Sequence, residues 1–154
     1  MAYTKPIQIE VVMNRKLNIS DCFDMFSDTF TPKVLLDVND SRIMLVKIIG
    51  DKIPWHCHAN EDELLWVMKG NIVVHTRTES VHLCSGELYM VAKGIEHKVT
   101  TNELAQVLLI ESKSFKHTGE TESDITQDAF EYLLKNNIAH PLIMIYSFIG
   151  TKVR

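Results

Sequence analysis

Four residues of this chain have types and spacing suited to holding a metal ion. His56 and His58 flank Cys57, Glu63 follows five positions after His58, and Gly50 and Gly70 bracket the stretch. Alternate side chains of an extended segment share a face, so His56 and His58 can reach one ion together while Cys57 points away. A turn through Ala59 to Asp62 into a second strand would bring Glu63 back to the same ion. A fourth ligand must come from elsewhere, and His97, in Gly94-Ile95-Glu96-His97, is the candidate. Glu61 and Asp62 are the competing acids. Glu61 has an odd offset and reads as a solvated loop residue, which favours Glu63.

Three imidazoles and one carboxylate form a borderline-hard donor set that suits Zn, Fe, Mn or Ni. An ion of coordination number five or six keeps one or two open positions, the mark of a catalytic rather than a structural site. With neutral imidazoles, a divalent ion and one carboxylate leave a local charge near +1. Such a site favours an anionic or chelating oxygen ligand, such as an enolate, carboxylate or diol.

The elements that position these residues read as strands. Val34–Val38, Arg42–Ile49, Leu64–Met68, Asn71–Arg77, Glu87–Val91 and Ala105–Ile110 are β-branched or apolar runs. Turn formers separate them at Asn39-Asp40, Gly50, Lys69-Gly70, Ser85-Gly86 and Lys93-Gly94. Many short strands at regular spacing point to an antiparallel sandwich or barrel. If Glu63 faces the interior, Leu65 and Val67 share its face as pocket wall, and Leu64, Trp66 and Met68 face outward. Trp66 and Met68 then need cover, from a second layer of the same chain or from a partner subunit.

The flanks differ in character. Residues Ile7–Met13 read as an opening strand and Ser20–Phe26 as a short helix with Ser20 as N-cap. Residues His117–Asp124 read as a polar loop, Thr126–Lys135 as an amphipathic helix stopped by Asn136-Asn137, and Pro141–Ile149 as an apolar segment of strand-like composition. One domain is expected, with residues 1–33 as N-terminal flank, 34–113 as barrel and 114–154 as tail. Cys57 is read as a buried inert thiol, His75 and His82 as surface or packing residues, and His117 and His140 as solvated.

The chain has 154 residues, enough for a proper core. Its net charge of −4 gives no basic footprint for nucleic acid. No apolar run is long enough to span a bilayer, so no membrane partner is expected. The three cysteines, Cys22, Cys57 and Cys84, form neither a disulfide framework nor a CxxC zinc pattern. A reducing cytoplasm fits this usage.

The segment from Gly50 to Gly70 resembles the first cupin motif, G(X)5HXH(X)3–4E(X)6G, at every fixed position. Gly86, Gly94 and His97 match the second motif, G(X)5PXG(X)2H(X)3N, with Ala92 at the proline and Thr101 at the asparagine. The flanks are similar to small single-domain cupins labelled mannose-6-phosphate isomerase-like, through Phe30–Val34, the Val38-Asn39-Asp40 turn and the Glu111-Ser112-Lys113 exit. The resemblance implies an all-β double-stranded β-helix (jelly-roll) barrel, here with a short N-terminal and a C-terminal helix. It also implies a divalent metal held inside by His56, His58, Glu63 and His97. Three functions stay open: a metal-dependent enzyme of isomerase or dioxygenase type on a small polar organic substrate, with Glu63 as ligand or base; a non-catalytic small-molecule binding or sensing module; or a metal-stabilised scaffold whose pocket has no physiological ligand. A barrel with helices at its ends is expected to form a homodimer.

Overall fold

The computed structural model describes residues 16–134. The expected strand at Ile7–Met13, the segment Pro141–Ile149 and His140 lie outside the described residues. In chain order the elements are α1 (Ile19–Phe23), β1 (Lys33–Val38), β2 (Ser41–Gly50), β3 (Glu63–Lys69), β4 (Asn71–Thr76), β5 (Ser80–Cys84), β6 (Leu88–Val91), β7 (His97–Ser112) and β8 (Glu131–Tyr132). The six expected strands all form. β5 is an addition, paired with β4 from Asn71↔Cys84 to His75↔Ser80.

β7 organises the barrel. Its first residues pair with β4, from Val73↔Thr100 to Thr76↔His97. Its later residues are flanked on both sides, by β2 (Ile43↔Ile110) and by β3 (Leu64↔Ile110). β6 closes on β3 with Glu63 opposite Val91. Together with the antiparallel β1–β2 pair, this gives the barrel that the spacing of short strands predicted, in the jelly-roll form that the resemblance implied.

Alternation along the strands sorts the apolar residues between two clusters. Met44, Val46 and Ile48 of β2, Leu65 and Val67 of β3, Ile72 and Val74 of β4, and Val107 and Leu109 of β7 fill the barrel interior. Leu45 and Leu108 face the other way and pack with Leu35 under Cys22 and Phe23 of α1. Strands buried on both faces explain why β2 and β7 read as unbroken apolar runs. Met68 is covered by this second cluster, within the chain, whereas Trp66 stays exposed.

Two flank expectations are corrected. α1 begins at Ile19, and its N-cap is Asn18, whose Oδ1 accepts from the Ser20 amide at 3.0 Å. Ser20 is therefore inside the helix. Residues 126–134 are not helical: turns and bends lead into β8, which pairs in parallel with β1 through Lys33↔Glu131 and Val34↔Tyr132. Tertiary bonds outcompete helix propensity here. Lys33 bonds Glu131 at 3.2 Å, the Tyr132 hydroxyl donates to Asp37 at 2.8 Å, and Phe130 packs against the barrel core. Among the described residues no helix is long and apolar enough to cross a membrane.

Candidate metal centre

His56, His58, Glu63 and His97 converge, their ligand atoms all within 4.8 Å of one another, and all four are buried. Glu63 opens β3 and His97 opens β7, so the barrel's own hydrogen-bond ladder places two of them. The His56–His58 stretch is extended but forms only an isolated antiparallel bridge, in which His56 and His97 exchange amide-to-carbonyl bonds of 2.9 Å in both directions. The Gly94 amide donates to the His58 carbonyl at 2.8 Å and ties the second turn to the first.

Hydrogen bonds to backbone carbonyls orient two of the rings. His56 Nδ1 lies 2.9 Å from the Pro54 carbonyl, and His97 Nδ1 lies 3.0 Å from that of Ile95. A carbonyl accepts only, so each Nδ1 carries a proton, and in its neutral form each ring turns a bare Nε2 lone pair inward. His97 Nε2 stands 2.7 Å from Glu63 Oε2. A lone pair and a carboxylate oxygen at that separation require a cation between them, either a proton or a metal ion. His58 Nε2 is buried without a hydrogen-bond partner, 3.5 Å from the same oxygen. An orphaned imidazole nitrogen aimed at a carboxylate and two oriented lone pairs fit a borderline divalent ion. The four residues could therefore bind one.

The electrostatics agree. Burial pushes the Glu63 carboxyl upward, but the imidazoles of His58 and His97 more than offset this and hold it below the ordinary carboxylate value. Burial lowers His56 to about 4, against a smaller opposing pull from Glu63. His97 is also penalised by burial, yet its bond to Glu63 raises it above the ordinary value.

A second acid lies beside the cluster. Glu111, near the end of β7, is 2% exposed, and neither carboxyl oxygen has a hydrogen-bond partner. Burial, followed by the negative charges of Glu63 and Glu61 and its approach to Glu63, pushes its carboxyl well above the ordinary value. The two buried carboxyls are shifted in opposite directions, Glu63 towards its ionised form and Glu111 towards its protonated one. The sequence reading placed Glu111 only in the strand exit. Its spacing from Leu109 was the available signal, since i and i+2 share the interior face.

Next to His56 and Glu63 is a mostly apolar cavity with about 40 Å³ of free space, walled by residues such as Val46, Ile48, Leu65, Val107 and Phe115. Leu65 and Val67 point inward as expected. His117, expected to be solvated, lines this cavity instead. The Phe115 ring packs 4.9 Å from His58, stacks 5.7 Å from Phe130 and draws the following loop over the site. Cys57 is half-buried rather than buried, its carbonyl accepting from the Glu120 amide at 3.3 Å. His75 packs between hydroxyls of Ser80 and Thr100, both at 2.8 Å, and His82 is exposed, so neither joins the site.

The model of the cupin domain matches residues 44–111, which contain all four converging side chains. A solved structure of a cupin-2 domain containing protein from Shewanella frigidimarina is 35% identical, with a TM-score of 0.61 over 63% of this chain and 94% of that chain. The chain is a cupin. Two more distant structures share the fold. A protein from Neisseria meningitidis is 23% identical with a TM-score of 0.59, covering 64% of this chain and 100% of that one. A protein from Thermus thermophilus is 15% identical with a TM-score of 0.55, covering 63% and 95%. No curated protein matches this cupin.

Proposed function

We propose that this cupin holds one divalent transition-metal ion, Zn, Fe, Mn or Ni, through His56, His58, Glu63 and His97. On this reading it acts as a metal-dependent enzyme of isomerase or dioxygenase type on a small organic molecule. The observation that carries the proposal is the His97–Glu63 contact of 2.7 Å, made by an imidazole whose Nδ1 proton is already committed to Ile95. Bound there, the ion supplies Lewis-acid stabilisation of anionic oxygen. The chain's own residues do the rest. Leu65, Val107 and Phe115 exclude water and contact the substrate's hydrocarbon part. Glu63 holds its negative charge on the cluster, and burial beside that charge favours the protonated form of Glu111.

Glu111 favours catalysis over simple binding, because its buried carboxyl next to Glu63 is shifted towards the form that can give up a proton. The apolar lining supports the second reading, a binding or sensing module for the same class of molecule. A sugar-phosphate substrate is disfavoured. No Lys or Arg is among the described residues that wall the cavity, and Arg77 and Lys98 pair at the surface with Glu96, through two bonds of 2.7 Å, and with Asp51, at 2.8 and 2.9 Å.

Metal analysis tests the reading. The chain purified without chelators is expected to carry about one divalent transition ion, and His56→Ala with His58→Ala to lose it. Full stoichiometry in the double variant would exclude these ligands. Glu111→Gln separates the two functions: turnover of a substrate that still binds should fall by about 10²–10⁴ if Glu111 moves a proton, and binding alone should change little.

A further inference from the structure

Part of the cavity wall comes from outside the strands. Phe30, in the segment before β1, is buried and lines the cavity. Its backbone is left-handed, with φ +60°. Among the described residues only Asn39 shares this conformation without being glycine, and a short polar side chain suits a turn. For a bulky aromatic residue the conformation is strained, and such strain persists only where the surroundings hold it. Here they do. The Phe30 amide donates to the Lys47 carbonyl at 2.8 Å, and the Lys47 ammonium reaches back to the Phe26 carbonyl at 2.6 Å. Lys33 pairs with Asp28 at 2.8 Å on the same segment. A glycine would make this turn without strain, so the turn alone does not account for the ring.

The ring separates the cavity from solvent. It belongs to the core cluster that fills the barrel, while the ammonium of the exposed Lys52 stands 5.7 Å from its centroid. A side chain that lines a cavity and also meets an exposed ammonium lies between the two. Phe115, the other aromatic residue of this wall, is committed elsewhere: it stacks on Phe130 and packs against His58. Phe30 has no such tie to the cluster histidines among its described contacts, so its bulk can serve the cavity alone. The free space of about 40 Å³ admits about three or four atoms of water size. Removing a whole ring from such a wall is a large change in what the cavity can hold.

We propose that Phe30 is the specificity-determining residue of the cavity, its ring setting how long an apolar chain the cavity accepts when an anionic oxygen is held at the metal cluster. This rests on the metal-site reading above. The ligand is then a carboxylate or enolate with a short hydrocarbon part, because His56 and Glu63 line the same small cavity as Phe30. The strained backbone serves this role by fixing the ring against β2, where a relaxed turn would leave it free to swing aside.

The test uses the full chain loaded with Co²⁺, with binding read from the visible absorption of the cobalt. Acetate, butyrate and hexanoate probe chain length, and azide reaches the ion alone. In the wild type butyrate should bind more tightly than acetate, and hexanoate more weakly than butyrate. Phe30→Ala should reverse the last step, with hexanoate about tenfold tighter than butyrate, the worth of two more buried methylenes. Azide should stay within about twofold of the wild type. Phe30→Leu, which keeps an apolar side chain, should fall between the two, and it decides the matter should the alanine variant lose its cobalt. An affinity that keeps rising to hexanoate in the wild type, an unchanged order in the variants, or azide binding without carboxylate binding would overturn the proposal. Failure of the wild type to take up cobalt would sink the metal-site reading itself.

Discussion

At the scale of the residue, a buried imidazole whose basicity is lowered and a buried carboxyl that is raised give the metal-free chain opposing pH dependences. His56 is lowered from its ordinary value to about 4. The unfolded chain therefore binds that proton more readily, and stability is lost as pH falls from about 6.5 through 4. Glu111 is raised, so the folded chain binds its proton more tightly than the unfolded one. Its contribution is full below the ordinary carboxylate value and is lost as pH rises through the raised value. Glu111→Gln should flatten the alkaline decline and stabilise the metal-free chain by about 1–3 kcal/mol at high pH. Urea unfolding from pH 4 to 9 checks this, and an unchanged alkaline limb would contradict it. His56, His58, Glu63 and His97 were legible in the sequence because periodicity and family spacing both act on neighbours along the chain. Glu111 and His117 were not, because only the long-range closure of β7 and the loop after it brings them to the site.

At the scale of the element, the loop from Phe115 to Phe130 is the part of the chain that pattern reading served least. Its polar composition reads as solvated, yet Thr118 is 1% exposed and Phe115 is in the barrel core. Gly119 permits this docking. It has φ +55°, and a Cβ there would run into the Cys57 carbonyl. Gly119→Ala should lift the loop from the Trp55–Cys57 stretch at a cost of about 1–3 kcal/mol. Faster amide exchange at Glu120 and Thr121, with the β2–β7 ladder unchanged, is the expected result. The strands were read well because each is bounded by a turn former, Asn39 and Gly70 among them with positive φ. The region 126–134 misled because its apolar spacing serves Phe130 and Leu133 as single anchors on two different clusters rather than as one helix face.

At the scale of the whole molecule, the barrel leaves an apolar outer face. Trp66, Leu88 and Met90 are exposed, and the pairings Leu64↔Met90 and Trp66↔Leu88 make them neighbours. Such a patch motivates the homodimer proposal. Sedimentation at micromolar concentration should give a dimer that Trp66→Glu with Met90→Glu dissociates, and a wild-type monomer would remove the proposal. The account as a whole stands on the convergence of four side chains from β3, β7 and the bridge between His56 and His97 on one ion. X-ray absorption at the edge of the bound metal tests that most directly. The account predicts about three imidazole nitrogens and one carboxylate oxygen among the nearest scatterers. A sulfur scatterer, which would put Cys57 on the ion, or fewer than two imidazoles would contradict it.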